Sequence, residues 1–193
     1  MIVNNVKVYD LEESVKASKY PMATDLDVLD GDIVNRTKVL AGCKKGSGHD
    51  QFLTGIRVNF DLKCSNKMWI EMERYRFIEF VSSQSTMHRI TQFDIGQQCN
   101  EYVWESTISL LNAKVMLYDG IKDKNSTEAK RLYLEILYNT PSGFELTARL
   151  TTNYRALKTV YSQRKGHRLP EWKEFCGWIE TLPMAKELII GEK

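Results

Sequence analysis

The chain has 193 residues, 42% of them hydrophobic and 27% charged, with a formal net charge of +2. One domain over residues 1–193 is the default for this length, and such a chain buries roughly 70% of its unfolded surface without disulfides. The composition excludes a disordered chain, a collagen and a pure coiled coil. The near-neutral charge excludes bulk attraction to nucleic acid but leaves room for a local anion pocket. No apolar run approaches a membrane span, and the opening MIVNNVKVYDLEE lacks the basic and apolar regions of a secretory signal. No nucleic-acid or membrane partner is expected, and the expected location is cytoplasmic.

In chain order, residues 2–9 (IVNNVKVY) read as a short strand. Residues 55–63 alternate Ile56, Val58, Phe60 and Leu62 against Arg57, Asn59 and Asp61, the period of a half-buried strand. Ser65 or Asn66 can cap a helix predicted from about Lys67 to Phe80. Residues 98–118 have helical spacing, with Val103, Leu110 and Leu117 on one face and Ile108, Leu111, Val115 and Tyr118 beside it. A polar loop at 119–125 precedes a helix capped by Asn125 with Glu128, which places Ala129, Leu132, Tyr133, Ile136 and Leu137 on one stripe. Asn139-Thr140-Pro141 ends it, since proline disfavours helical geometry in the preceding residue. Residues 144–150 alternate again as a strand. Asn153 then caps a helix with Leu157, Val160 and Tyr161 inward and Arg164 along the same stripe. A last helix opens at Pro170, with Trp172, Phe175, Cys176, Ile179 and Leu182 inward. The order of strands and helices argues an α+β fold rather than a doubly wound parallel sheet.

The usual chemical motifs are missing. Cys43, Cys64, Cys99 and Cys176 form no C-x-x-C pair, and reduced thiols are expected. Cys43 and His49 lack partners at ligand spacing, so no metal site is expected. The stretch Gly42-Cys43-Lys44-Lys45-Gly46-Ser47-Gly48 has no G-K-[ST] ending and precedes a strand, so it reads as a surface turn. Ser82, Ser83 and Ser85 lie near His88 but in no G-x-S-x-G frame.

One constellation carries more. GHDQFLTGIRVNF (48–60) runs on through DLKCSNKMWIEMERYR (61–76), and Asn153-Tyr154-Arg155-Ala156-Leu157 is followed by Arg164, eleven residues after Asn153, and by Glu171. Together these resemble the flavin-dependent thymidylate synthases. That family has a G-H-[E/D]-[T/S]-P-F turn, a helix carrying Q-x-x-R-H-R, and N-x-R-x-L with an arginine eleven residues after the asparagine. Here Gly48-His49-Asp50 matches the turn, and Arg74-Tyr75-Arg76 falls where R-H-R should.

The resemblance implies a sheet wrapped by long helices, a homotetramer, and flavin sites between subunits. It implies transfer of a one-carbon unit from methylenetetrahydrofolate, through reduced FAD, to C5 of dUMP, with NADPH as reductant and no cysteine nucleophile. It assigns His49, Gln51, Arg74, Tyr75 and Arg76 to FAD, together with Asn153, Arg155 and Thr159. It assigns Glu71, Arg74, Ser85, Arg89 and Arg164 to the pyrimidine deoxynucleotide, with Arg164 catalytic. The residue chemistry suits those roles. Arg74 and Arg76 are permanently charged forks for phosphates. Asn153 and Arg155 sit at a helix start that favours an anion. Arg164 as a fixed cation would stabilise charge developing as C5 becomes nucleophilic. Plainer roles stand beside these: an i,i+3 pair of Glu71 with Arg74, a surface position for His49, and a snorkelling Arg164.

The chain also departs from the pattern. Glu71 replaces the glutamine and Tyr75 the histidine, and the turn lacks its proline. The segment from Phe77 to Arg89 has no S-x-R at the family's position. Leu137 stands where the family has an arginine. Because an ionised carboxylate only accepts hydrogen bonds, Glu71 is expected to oppose the phosphate site at Arg74 and to leave dUMP binding and synthase activity weak. Two functions stay open: a divergent enzyme of this chemistry, and a non-catalytic nucleotide- or flavin-binding protein on the same scaffold.

Overall fold

The structure, a computed structural model, describes residues 1–44 and 46–191; Lys45 of the glycine-rich turn falls outside them. Strand β1 (Ile2–Tyr9) leads to α1 (Leu11–Ala17) and α2 (Asn35–Ala41). After a 3₁₀ turn at Gln51–Thr54 come β2 (Arg57–Ser65), α3 (Asn66–Met72) and β3 (Glu79–Ser83). The short helices α4 (Thr86–Arg89) and α5 (Ile95–Gln98) precede α6 (Glu105–Gly120) and α7 (Thr127–Tyr138). The chain closes with β4 (Glu145–Asn153), α8 (Tyr154–Arg164), α9 (Pro170–Glu180) and a π-helical turn at Lys186–Ile190. The α+β expectation matches this architecture.

The strands form one antiparallel sheet in the order β1-β2-β4-β3. Alternation builds its core. Val58, Phe60, Leu62 and Cys64 of β2 pair with Thr152, Leu150, Ala148 and Leu146 of β4, and those four β2 residues are fully buried on one face. That face receives Leu157 and Val160 of α8, Trp172, Phe175 and Ile179 of α9, and Leu188 and Ile189 of the last turn. The opposite face is polar: Arg149 Nη1 pairs with Asp61 Oδ1 at 3.0 Å across the β2–β4 register. A second cluster of Ile90, Ile95, Leu111, Ile136 and Phe144 gathers α5, α6 and α7. Burial holds the thiols of Cys64 and Cys176 protonated, the latter pushed up to about 11 by desolvation and Glu180.

Three local expectations need correction. The helix predicted over 67–80 stops at Met72. Its start is as expected, with Ser65 Oγ accepting from Met68 N at 3.2 Å, but residues 79–83 pair with β4 as an edge strand. Backbone pairing on an open sheet edge outweighs local helical preference for Phe80-Val81-Ser82. The helix predicted over 98–118 begins at Glu105, because Asn100 Oδ1 accepts from Tyr102 N and turns the chain. Its inward face is Ile108, Leu111 and Val115, while Leu110 and Leu117 are each 62% exposed. The cap of α7 is Ser126, whose Oγ accepts from Ala129 N at 3.2 Å, one residue later than expected.

Candidate functional site

Asn153 caps α8 as expected, its Oδ1 accepting from Ala156 N at 2.9 Å. That cap and the burial of Leu157 and Val160 fix the helix, and so fix where Arg164 leaves its last turn. Glu71 projects from α3, anchored by buried Met68 and Met72. Tyr75 follows in the turn after α3. Trp172 is set by the first turn of α9 and is fully buried.

These residues converge on one carboxylate. Arg164 Nη1 donates to Glu71 Oε2 at 2.9 Å, and Trp172 Nε1 donates to the same oxygen at 3.0 Å. Lys67 Nζ lies 3.2 Å from Oε1, and His167 Nε2 lies 3.5 Å from Oε2. Arg164 Nε also donates to Tyr75 Oη at 2.8 Å, and that hydroxyl donates to Gln163 Oε1 at 3.1 Å. The Arg164 guanidinium carbon sits 4.5 Å from the Trp172 ring centre, a cation–π contact. Burial of Glu71 opposes its ionisation. Hydrogen bonds from Trp172 and Lys67 and the charges of Arg164 and His167 outweigh that, so its carboxyl titrates below the ordinary value. The guanidinium is therefore held in one orientation on three sides, the preorganisation a charge-stabilising group needs.

The expected pairing of Glu71 with Arg74 is not formed. The helix ends before Arg74, and Glu71 turns instead to Arg164 and Lys67. Arg74 and Arg76 are exposed on the turn before β3, and neither has an ion-pair or hydrogen-bond partner among the described residues.

A second node assembles around Asp50, which is buried. Arg155 Nε donates to Asp50 Oδ1 and Lys158 Nζ to Asp50 Oδ2, each at 2.9 Å. Arg155 Nη1 donates to Gln51 Oε1 at 2.7 Å. Thr159 Oγ1 bonds back to the Arg155 carbonyl at 3.3 Å. His49 is exposed in the turn before this node, after Gly48 with φ of +79°. Ser85 and Arg89 lie beyond β3, where the Arg89 side chain bonds Gln92 at 2.6 Å. They enter neither node.

The sequence assigned Glu71 and Arg164 to the nucleotide and Tyr75 to FAD, and these three meet around one guanidinium. Of the others it assigned to FAD, Arg155 meets Gln51 in the first turn of α8, which Asn153 caps, and Thr159 lies one turn further on. It did not assign Trp172, His167, Lys67 or Lys158. Trp172 gave only a core signal. His167 gave no periodic signal, while Lys67 stands one helical turn before Glu71, an i,i+4 spacing that pairs opposite charges. The Arg155–Lys158 spacing, one helical turn, was the available hint that both serve one acid.

No family model matches the sequence, and no curated protein matches it. Solved structures do. The chain is similar to the flavin-dependent thymidylate synthase ThyX of Helicobacter pylori, solved with FAD and dUMP. The TM-score is 0.71 at 14% identity, covering 98% of each chain; a second structure of that enzyme with FAD and dUMP gives 0.70. It is also similar to PolB, a UMP/dUMP methylase of Streptomyces cacaoi bound with 5-Br dUMP, with a TM-score of 0.62 at 15% identity over 97% of this chain and 95% of that one. The chain carries the fold of the flavin-dependent thymidylate synthases along nearly its whole length.

Proposed function

We propose that this protein is a divergent flavin-dependent thymidylate synthase-like enzyme, passing a one-carbon unit to C5 of a pyrimidine deoxynucleotide, dUMP or an analogue. The observation that carries it is Arg164, fixed by Glu71, Tyr75 and Trp172 in a chain of that fold. A cation so restrained stabilises negative charge on a bound pyrimidine without reorganising. Glu71 and Tyr75 orient it. Ser85, Arg89 and Arg74 are proposed for the nucleotide phosphate.

The chain's residues fit FAD. Arg74 and Arg76 are uncommitted forks suited to a diphosphate. Gln51 and Arg155 meet at the start of α8, with Thr159 one turn further along it, His49 in the neighbouring turn and Tyr75 beside Arg164. Asn153 acts through its cap, which holds Arg155 in place. When bound, the flavin would supply the electrons and relay the one-carbon unit, with NADPH and methylenetetrahydrofolate as co-substrates. The apolar outer face of α6 supports a homotetramer with shared sites.

A second reading, a nucleotide- or flavin-binding protein without the chemistry, is favoured by one observation: Glu71 already answers the charge of Arg164. Incubation with FAD, NADPH, methylenetetrahydrofolate and dUMP, with chromatography of the nucleotides, decides between them. A C5-alkylated product at any rate above a no-enzyme control supports the enzyme. FAD and dUMP binding without product supports the second reading.

A further inference from the structure

A cleft of about 610 Å³ opens beside the Glu71 carboxylate, and Arg164 does not line it. Its walls come from α3, the 100–103 turn, the 142–143 turn, the 167–169 connection after α8 and the first residues of α9. Backbone bonds fix them together: Lys67 N to Ser142 O at 2.9 Å, and Asn100 N to Gly143 O at 3.0 Å. The approach at Gly143 is too close for a side chain, since a Cβ there would stand 2.5 Å from Val103 Cγ2 and 2.6 Å from Asn100 Oδ1. Apart from Glu71, the residues proposed above for FAD and nucleotide do not line this cleft.

The charges in the cleft are unevenly committed. Glu71 is saturated by Arg164 and Trp172 on one oxygen and by Lys67 on the other. Buried Glu171 accepts from Ser65 N at 2.7 Å and Ser65 Oγ at 2.6 Å. The cations are freer. The Lys67 side chain is 55% exposed. His167 Nδ1 accepts from Leu169 N, which leaves its Nε2–H toward Glu71. Arg168 is exposed, with no ion-pair or hydrogen-bond partner among the described residues. Tyr102, 67% exposed, also lines the cleft.

We infer that this cleft is a second binding site, for a small oxyanion carried on a flat ring. Arg168 and Lys67 take the oxyanion and Tyr102 covers the ring. A guanidinium with unspent donors, in one cleft with an exposed ammonium that Glu71 holds on one side only, is suited to phosphate or carboxylate, and an exposed tyrosine face in the same cleft adds ring contact at small conformational cost. The cleft adjoins the Arg164 site, sharing Glu71, Lys67 and His167 with it, but Arg164, Tyr75 and Trp172 do not line it.

The test is calorimetric titration of the full chain with phenyl phosphate, benzoate and inorganic phosphate, with and without saturating FAD and dUMP. Phenyl phosphate or benzoate is expected to bind saturably in the millimolar range in both conditions, and whichever is tighter identifies the oxyanion. Arg168→Ala should weaken binding by about tenfold or more, the loss of a charge-assisted contact. Tyr102→Ala should weaken phenyl phosphate while leaving inorganic phosphate unchanged. Both residues are exposed, so their replacement spares the fold. No saturation by any probe, affinity unchanged in Arg168→Ala, or displacement by dUMP would overturn the inference.

Discussion

Replacing Glu71 by glutamine removes one charge and no volume. In the wild type, Oε2 accepts from Arg164 and Trp172 while Oε1 faces Lys67. Glutamine keeps a carbonyl for Arg164 and Trp172 only by turning its NH₂ toward the Lys67 ammonium, a donor against a donor. Arg164, with its side chain 13% exposed, would lose its counter-charge while keeping Tyr75 and the Trp172 ring. Hydrogen bonds to charged groups contribute roughly 1.5–3 kcal/mol, so the expected loss is about 2 kcal/mol, or a fall in Tm of roughly 4–8 °C for this length. The sign with pH follows from the lowered carboxyl pKa. The ionised pair contributes fully above the ordinary value of 4.5, and the contribution fades as pH falls through the lower folded value. The gap between wild type and variant, read by urea denaturation, should therefore close on acidification. Freed of Glu71, Arg164 should bind dUMP about tenfold more tightly, equivalent to roughly 1.4 kcal/mol, by calorimetry with FAD saturating. Equal stability of the two forms at neutral pH would refute the claim that Glu71 and Arg164 are coupled. Equal dUMP affinity would refute Arg164 as a nucleotide contact.

Asp50→Ala strips the partner from Arg155 and Lys158 at a buried position, and should cost about 3–5 kcal/mol in denaturant unfolding; a loss below 1 kcal/mol would mean the node is only decorative. Arg74→Ala should weaken FAD more than Arg74→Lys does, with both weaker than wild type if the contact is a fork, measured by fluorescence quenching. Light scattering should give a tetramer mass. Leu110→Glu with Leu117→Glu, on the exposed face of α6, should lower that mass; a monomer mass in the wild type would remove the shared-site account.

The legible parts of the fold were those whose signal is local. Asn153 and Pro170 announced their helices, and the alternation in β2 and β4 announced the central strands. Strand β3 was hidden because its burial pattern is exposed throughout: an edge strand is stabilised by backbone pairing, which leaves no hydrophobic period to read. The inward face of α6 was misjudged for a related reason. The helix is apolar on both sides, and only the packing of α5 and α7 selects Leu111 over Leu110. At the candidate site, matched spacing drew attention to Arg164, Tyr75 and Glu71, which meet in the structure. The partner of Glu71 depended on where α3 ends, and no residue between Lys67 and Phe80 is a strong helix breaker. Lys67 reaches the carboxylate from one turn earlier on the same helix, whereas His167 and Trp172 reach it from the α8–α9 connection and from α9, a convergence that tertiary packing creates.

The central claim is most directly tested by titrating FAD into the purified protein, following flavin fluorescence and visible absorbance. Saturable quenching by high micromolar FAD, weakened by Arg74→Ala and Arg76→Ala, is the predicted result. No saturable binding in the wild type at that concentration would contradict the flavin-dependent account.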